Sequence, residues 1–223
     1  MNIGVLIIAT GNYTQFLNPL MDSIVKYFLK GNRVSIITYS DKKPRTFKMD
    51  HKPFPYPTLM RYHQFNKSKD LLKTFDYLFY IDADMLFCSQ VGNEILGDGL
   101  TAITHPYSES RNMRNTFENN KDSTAYLEDV SKINPYCCGG FQGGTSEAFL
   151  KMSKVIADNI DKDLEKGIVA RWHDETHYNK YLTKVKPSLI LSSDYCTPEK
   201  EKNEKSKLIA LDKNHKEIRL WVK

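Results

Sequence analysis

Two apolar patterns alternate over the first forty residues, and this restricts the fold more than any other feature of the chain. Ile3 to Ala9 is a continuous apolar run ending at Thr10-Gly11, the pattern of a buried strand that meets a loop. Phe16, Leu17, Leu20, Met21, Ile24, Val25 and Phe28 then recur at three- and four-residue steps, which predicts an amphipathic helix stopped at Gly31. Val34 to Tyr39 returns to a strand. A strand–helix–strand unit predicts a right-handed crossover between parallel strands, and hence an α/β fold with a mostly parallel central sheet.

The pattern continues. Prolines 44, 53, 55 and 57 predict an extended connector, a second helix starts near Thr58, and "DYLFYI" (76–81) is the next strand. Leu100 to Thr104 predicts another strand, and the polar stretch Arg111 to Lys121 a mobile loop. "CCGGFQGG", residues 137–144, reads as a glycine-dense bend. Helices are predicted over Ser146–Ile160 and about His173–Leu182, and extended backbone over Ser188–Leu191. "PEKEKNEKSK", residues 198–207, has nothing to bury and opens a solvated, flexible tail over 198–223. With no repeat and no linker, residues 1–223 are expected to form one domain.

Composition excludes several classes. The net charge of +5 is spread among Asp and Glu residues, so no nucleic-acid partner is expected. No apolar run approaches the roughly 20 residues that span a bilayer, and Met1-Asn2 does not open a signal-peptide pattern. The expectation is a cytoplasmic protein with no membrane anchor. Cys137 and Cys138 are adjacent rather than spaced as a metal pair; together with Cys88 and Cys196 they are expected as free thiols.

Function is written where the greasiest strand ends. "YLFYI" delivers Asp82 and Asp84, two apart, which share one side if the extended conformation persists. Two adjacent carboxylates repel unless something positive offsets them. A calcium loop needs further oxygens, and Met85-Leu86-Phe87 supply none. A phosphohydrolase with an Asp nucleophile also uses D-x-D after an apolar strand, but carries a small hydroxyl or β-branched residue where this chain has Leu86. The third reading is a divalent ion held between the carboxylates and a nucleotide diphosphate, for which hard oxygen ligands suit Mg²⁺ or Mn²⁺. A second signal is "RWHDETHYNKY", 171–181. His173 and His177 lie four apart, but Asp174 stands where a zinc protease helix needs Glu, so the zinc reading fails. Trp172 beside Asp174 and Glu175 is an aromatic wall of the kind sugars stack against.

Taken together, "YIDADM", "WHDETHYNKY", "CGGFQGG" and "KNHKEIR", in that family's order, resemble glycosyltransferase family 6, the retaining α-1,3-galactosyl- and N-acetylgalactosaminyltransferases, over nearly the whole chain. The resemblance implies a GT-A type nucleotide-sugar fold in a single α/β domain. It implies that Asp82 and Asp84, with Ala83 between them, hold Mn²⁺ (or Mg²⁺) against the diphosphate of a UDP-sugar, so that the metal, rather than a side chain, offsets their charge. Ile8, Ala9, Thr10 and Tyr13 match the stretch that cradles uracil and ribose. Arg61 matches an arginine that reaches the donor. Lys213 and Arg219 match basic residues of a C-terminal tail that closes over the diphosphate. Cys138, Gly139 and Gly140 match the lining around the donor's C2 substituent, and Asp174 a carboxylate that binds the donor sugar. His105, Thr116, Trp172 and Glu175 match acceptor contacts, Glu175 also being the catalytic carboxylate beneath the anomeric carbon.

The activity so implied is transfer of GalNAc, or Gal, in α-1,3 linkage to a β-galactoside, fucosylated or not. Gly140, lacking a Cβ, favours GalNAc over Gal. The chain departs from the family at "HPY", at Asn119-Asn120 in place of two arginines, and at Pro198, where animal members carry an acceptor-binding Asp. Two rivals remain: a catalytically silent carbohydrate-binding protein of the same fold, and a D-x-D phosphohydrolase.

Overall fold

The computed structural model describes residues 1–42, 45–108, 116–130 and 135–218. Its frame is a seven-stranded sheet in the order β3-β2-β1-β4-β7-β6-β8. The strands are β1 (Asn2–Ile8), β2 (Arg33–Ser40), β3 (Phe47–Lys48), β4 (Tyr77–Ile81), β6 (Leu100–Ile103), β7 (Phe141–Thr145) and β8 (Leu189–Leu191). β1, β2, β3 and β4 are mutually parallel, β7 runs antiparallel to β4 and β6, and β8 is parallel to β6. The predicted α/β architecture with a mostly parallel sheet is the observed one.

Strand alternation explains why the sheet is covered on both faces. Ile3, Val5 and Ile7 of β1 join Phe79 and Ile81 of β4 in one core layer, with Leu20 and Ile24 of α1 (Leu17–Tyr27). Leu6 and Ile8 join Leu78 and Tyr80 in the other, against Tyr62 and Phe65 of α3 (Arg61–Lys67) and Phe149, Met152 and Ile156 of α5 (Ser146–Glu165). A strand buried on both faces must be apolar at every position, which is why "YLFYI" carries no alternation. The helix expected near Thr58 is broken into α2 (Tyr56–Leu59), α3 and α4 (Lys69–Leu72), while α6 (His173–Leu182) has the predicted bounds.

Two segments differ from their sequence reading. Residues 141–144 are not part of a bend; they are strand β7, in the middle of the sheet. Glycine serves close approach there: Gly144 has φ +143°, and a Cβ on it would collide with the carbonyl of Gly99. The chain after Pro198 is not all solvated either. β10 (Leu208–Ala210) pairs antiparallel with β5 (Met85–Phe87) and parallel with β9 (Thr197–Pro198), making a second, three-stranded sheet. Leu208 is fully buried in the same core layer as β1. The short run Leu208-Ile209-Ala210 was masked by the lysines before it.

Leu208→Ala should therefore lower stability by about 2–5 kcal/mol in urea unfolding, and truncation after Lys207 should leave a chain without a cooperative transition. A truncated chain that unfolds with the parent's midpoint would show that β10 is dispensable.

Candidate active site

β4 brings Asp82 to the carboxyl edge of the sheet, where open α/β folds collect their binding groups. Extension does not persist beyond it. The Asp82 amide donates to the Gly140 carbonyl (2.7 Å), and Ala83-Asp84 form a turn into β5. Asp82 and Asp84 still share a cavity, but through the turn rather than through strand alternation.

Arg61 lies at the centre of the site and is 3% exposed. Its Nη1 donates to the Gly139 carbonyl (2.8 Å), its Nη2 lies 3.4 Å from Asp82 Oδ1, and its Nε lies 2.8 Å from Asp174 Oδ2. The guanidinium also sits 4.3 Å from the centre of the Tyr80 ring. Burial opposes its charge, but Asp174, Tyr80 and Asp82 outweigh burial and keep it cationic. Its Nε–H is directed at the Thr58 carbonyl (3.3 Å), so the contact with Asp174 is one of charge more than of hydrogen bonding. Burial raises the Asp174 carboxyl to about 7 in spite of Arg61, with Asp82 and Glu175 adding to the rise.

Side chains thus offset the carboxylate pair, contrary to the expectation that a bound metal alone would do so. Arg61 and the Tyr80 hydroxyl (2.6 Å) attend Asp82, and Lys213 Nζ contacts Asp84 Oδ2. Asp84 is 6% exposed, too dry to go without a partner. Lys213 arrives because the Leu211 amide donates to the Asp84 carbonyl (2.8 Å) and Asn12 Nδ2 donates to the Glu217 carbonyl (2.9 Å), holding residues 211–217 across the cleft. Among the described residues no three His, Cys, Asp or Glu side chains converge to hold a metal unaided. Two hard carboxylates suit the kind of Mg²⁺ or Mn²⁺ site that completes itself with phosphate oxygens and water.

Two cavities meet at this point. The first, about 610 Å³, is lined by Ile8, Thr10, Tyr13, His51, Lys52, Ala83, Asp84 and Lys213. The second, about 760 Å³, is lined by Arg61, Gly139, Gly140, Trp172, His173, Asp174 and Glu175. Asp82, Phe54 and Thr58 belong to both. Glu175, in the first turn of α6, accepts from the Tyr136 hydroxyl at Oε1 (2.9 Å) and from the Gly139 amide at Oε2 (2.8 Å). The Asn179 side chain doubly bonds the Cys137 backbone (2.8 Å each way), fastening α6 to the glycine bend. A Cβ on Gly140 would lie 3.0 Å from Asp82 Oδ2 and 3.3 Å from Met85 Sδ, so the glycine lets the backbone settle onto the carboxylate.

The remaining expected site residues are placed less directly. Ala9 is fully buried beneath the first cavity and lines neither. Cys138 packs in the core with Cys196 and Leu208 rather than facing the cleft. His105 stacks edge-on against Tyr136 (5.9 Å), and Thr116 is buried next to Phe117, which packs on that same tyrosine (5.8 Å). Arg219 lies outside the described residues. Tyr136, Asn179, Phe54 and Thr58 were not singled out from sequence, because nothing in their local spacing distinguishes them from core or loop residues.

A mostly parallel sheet with an acidic, two-chambered cleft at its carboxyl edge has the architecture of a GT-A type transferase. The chain belongs to glycosyltransferase family 6, whose family model matches residues 58–220. It is similar to the chicken globoside α-1,3-N-acetylgalactosaminyltransferase 1, at 27% identity over 98% of this chain and 69% of the relative. It is 29% identical to the rat histo-blood group ABO system transferase 1, over 97% of this chain and 68% of that protein. It is 28% identical to the O-antigen biosynthesis glycosyltransferase WbnI of Escherichia coli, over 96% and 95% of the two chains. Among the described residues no helix is long and apolar enough to cross a membrane.

The raised Asp174 carboxyl has a sign that can be measured. The unfolded chain releases this proton near pH 4 and the folded chain near 7, so the group's contribution to stability is lost as pH rises across that window. The difference in urea stability between Asp174→Asn and the parent should therefore shift in the variant's favour from pH 4.5 to pH 7.5. A difference independent of pH would place the Asp174 carboxyl in the ordinary range.

Proposed function

We propose that the protein is a metal-dependent, retaining transferase that moves GalNAc, in preference to Gal, from a UDP-sugar to the 3-hydroxyl of a β-galactoside. The observation that carries this reading is the meeting of the two cavities at Asp82. A nucleotide fits the first, with Ile8, Thr10 and Tyr13 around base and ribose and Lys213 toward the diphosphate. A sugar fits the second, where Trp172 offers an apolar face and Asp174 presents a buried oxygen with no hydrogen bond of its own. The relatives' names, which specify α-1,3-N-acetylgalactosaminyl transfer and blood-group or O-antigen synthesis, support the same reaction class.

Asp82 and Asp84 would hold Mn²⁺ or Mg²⁺ beside the diphosphate, where the ion supplies charge neutralisation to the leaving group. Lys213 provides a fixed positive charge in the same cavity, worth more as negative charge grows on the departing phosphate than before. Arg61 bridges Asp82 and Asp174 and holds them at a set distance. Glu175, fixed at both oxygens, faces the anomeric carbon, either as the nucleophile of a double displacement or as the carboxylate that stabilises an oxocarbenium-like centre. The closing over the donor of the segment that follows β10, whose described part carries Lys213, belongs to the same proposal. A silent carbohydrate-binding protein of the same fold would have no need of an acidic group pinned by two donors.

One assay tests the whole reading: UDP release from UDP-GalNAc and UDP-Gal with a β-galactoside, with Mn²⁺ and with EDTA. Transfer is expected to stop in EDTA. Glu175→Gln should cut kcat by about 10²–10³ or more while UDP affinity stays within a few-fold. Gly140→Ala should slow both donors, because its methyl presses on Asp82, and UDP-GalNAc more than UDP-Gal. Full activity of Glu175→Gln, or a parent that prefers UDP-Gal, would contradict the catalytic and donor assignments respectively.

A further inference from the structure

Glu118 is buried, yet the cleft does not use it. It follows Thr116 and Phe117 in the chain, and all three are buried. Its Oε2 accepts from the Arg171 amide (2.7 Å) and its Oε1 from the Asn120 amide (2.8 Å). Asp163 of α5 has a similar role further along the same loop, accepting from the Thr124 amide at Oδ1 (2.7 Å) and from the Ser123 hydroxyl at Oδ2 (2.5 Å). His177 of α6 faces the same two groups. Burial pushes its imidazole down to about 4 against the pull of Asp163 and Glu118, and its Nε2 lies 3.6 Å from Asp163 Oδ2. The two buried carboxyl groups are thus held by amides and a hydroxyl, where an apolar corner would need no such partners.

What Glu118 holds is specific. Arg171 directly precedes Trp172, whose amide is fixed in turn to Thr176 Oγ1 (2.9 Å). The carboxylate therefore sets where the chain enters α6, one residue before the exposed tryptophan and four before Glu175. A second route runs from the neighbouring Phe117 through the Tyr136 ring (5.8 Å) to Glu175 Oε1. Both converge on the two residues between which an acceptor sugar would have to fit.

We propose that Glu118 is a positioning residue for the acceptor half of the cleft, fixing Trp172 relative to Glu175 through the amide of Arg171. The proposal rests on the transferase reading for what the cleft binds. In Glu118→Gln the side-chain amide has one acceptor oxygen and turns an NH₂ toward an N–H, so one of the two contacts is lost.

The test uses a Trp221→Phe background, which leaves Trp172 as the only tryptophan of the two in the chain. Glu118→Gln should raise the KM for lactose at least tenfold, leave the UDP dissociation constant unchanged by calorimetry, and alter acrylamide quenching of Trp172. Asp163→Asn, which alters the α5 side chain that holds the same loop away from Arg171, should lower the urea midpoint but leave the lactose KM and the quenching as in the parent. Parent-like KM and quenching in Glu118→Gln, or equal changes in Asp163→Asn, would overturn the proposal. If Glu118→Gln does not fold, Glu118→Asp, too short to keep both contacts, replaces it with the same expected outcomes. A parent that transfers nothing to lactose counts against an unsubstituted β-galactoside as acceptor instead, and the quenching comparison then decides the positioning role alone.

Discussion

A single buried guanidinium organises the site. Arg61 touches the end of β4 through Asp82, the glycine bend through the Gly139 carbonyl, and the first turn of α6 through Asp174. These come from three distant parts of the chain. A buried charge of this kind is tolerated only because each partner is oppositely charged or an acceptor, and the same dependence makes the partners hard to move. The fold spends an arginine here, not a lysine, because a planar fork can reach several acceptors at once.

The rigidity spreads outward from that point. Glu175 is pinned between Tyr136 and Gly139, Asn179 fastens the helix to the bend, and Glu118 fixes the chain just before it. A carboxylate fixed at both oxygens needs little reorganisation if charge develops beside it, which is what the role proposed for Glu175 asks of it. The opposite wall is lighter. Residues 211–217 cross the first cavity through hydrogen bonds to Asp84, Glu199 and Asn12 and through the Lys213–Asp84 contact, contacts that the proposed closing and opening would make and break.

Much of this was legible in the sequence, for identifiable reasons. The apolar runs of β1 and β4 are unambiguous because strands buried on both faces are apolar at nearly every position, and the acidic pair stands out against that background. The heptad-like spacing of α1 and the length of α5 leave little alternative to helix. β7 was hidden because glycine, chosen there to let strands and loop approach, also signals a bend. β10 was hidden because three residues are too few to show a period. Arg61 looked like a ligand contact, and only the folded arrangement shows that it meets Asp82 and Asp174 first. Glu118 and Asn179 act through backbone amides, whose positions no local pattern encodes.

The central claim is that Arg61 is the tie between sheet edge, glycine bend and α6. The most direct measurement is a double-mutant cycle of urea stability with Arg61→Met and Asp174→Asn. At pH 8, where the Asp174 carboxyl is ionised beside Arg61, Arg61→Met alone should cost about 3–5 kcal/mol, because it strands that buried group, and the double variant should recover a substantial part of the loss. An Arg61→Met protein as stable as the parent, or two losses that simply add, would contradict it.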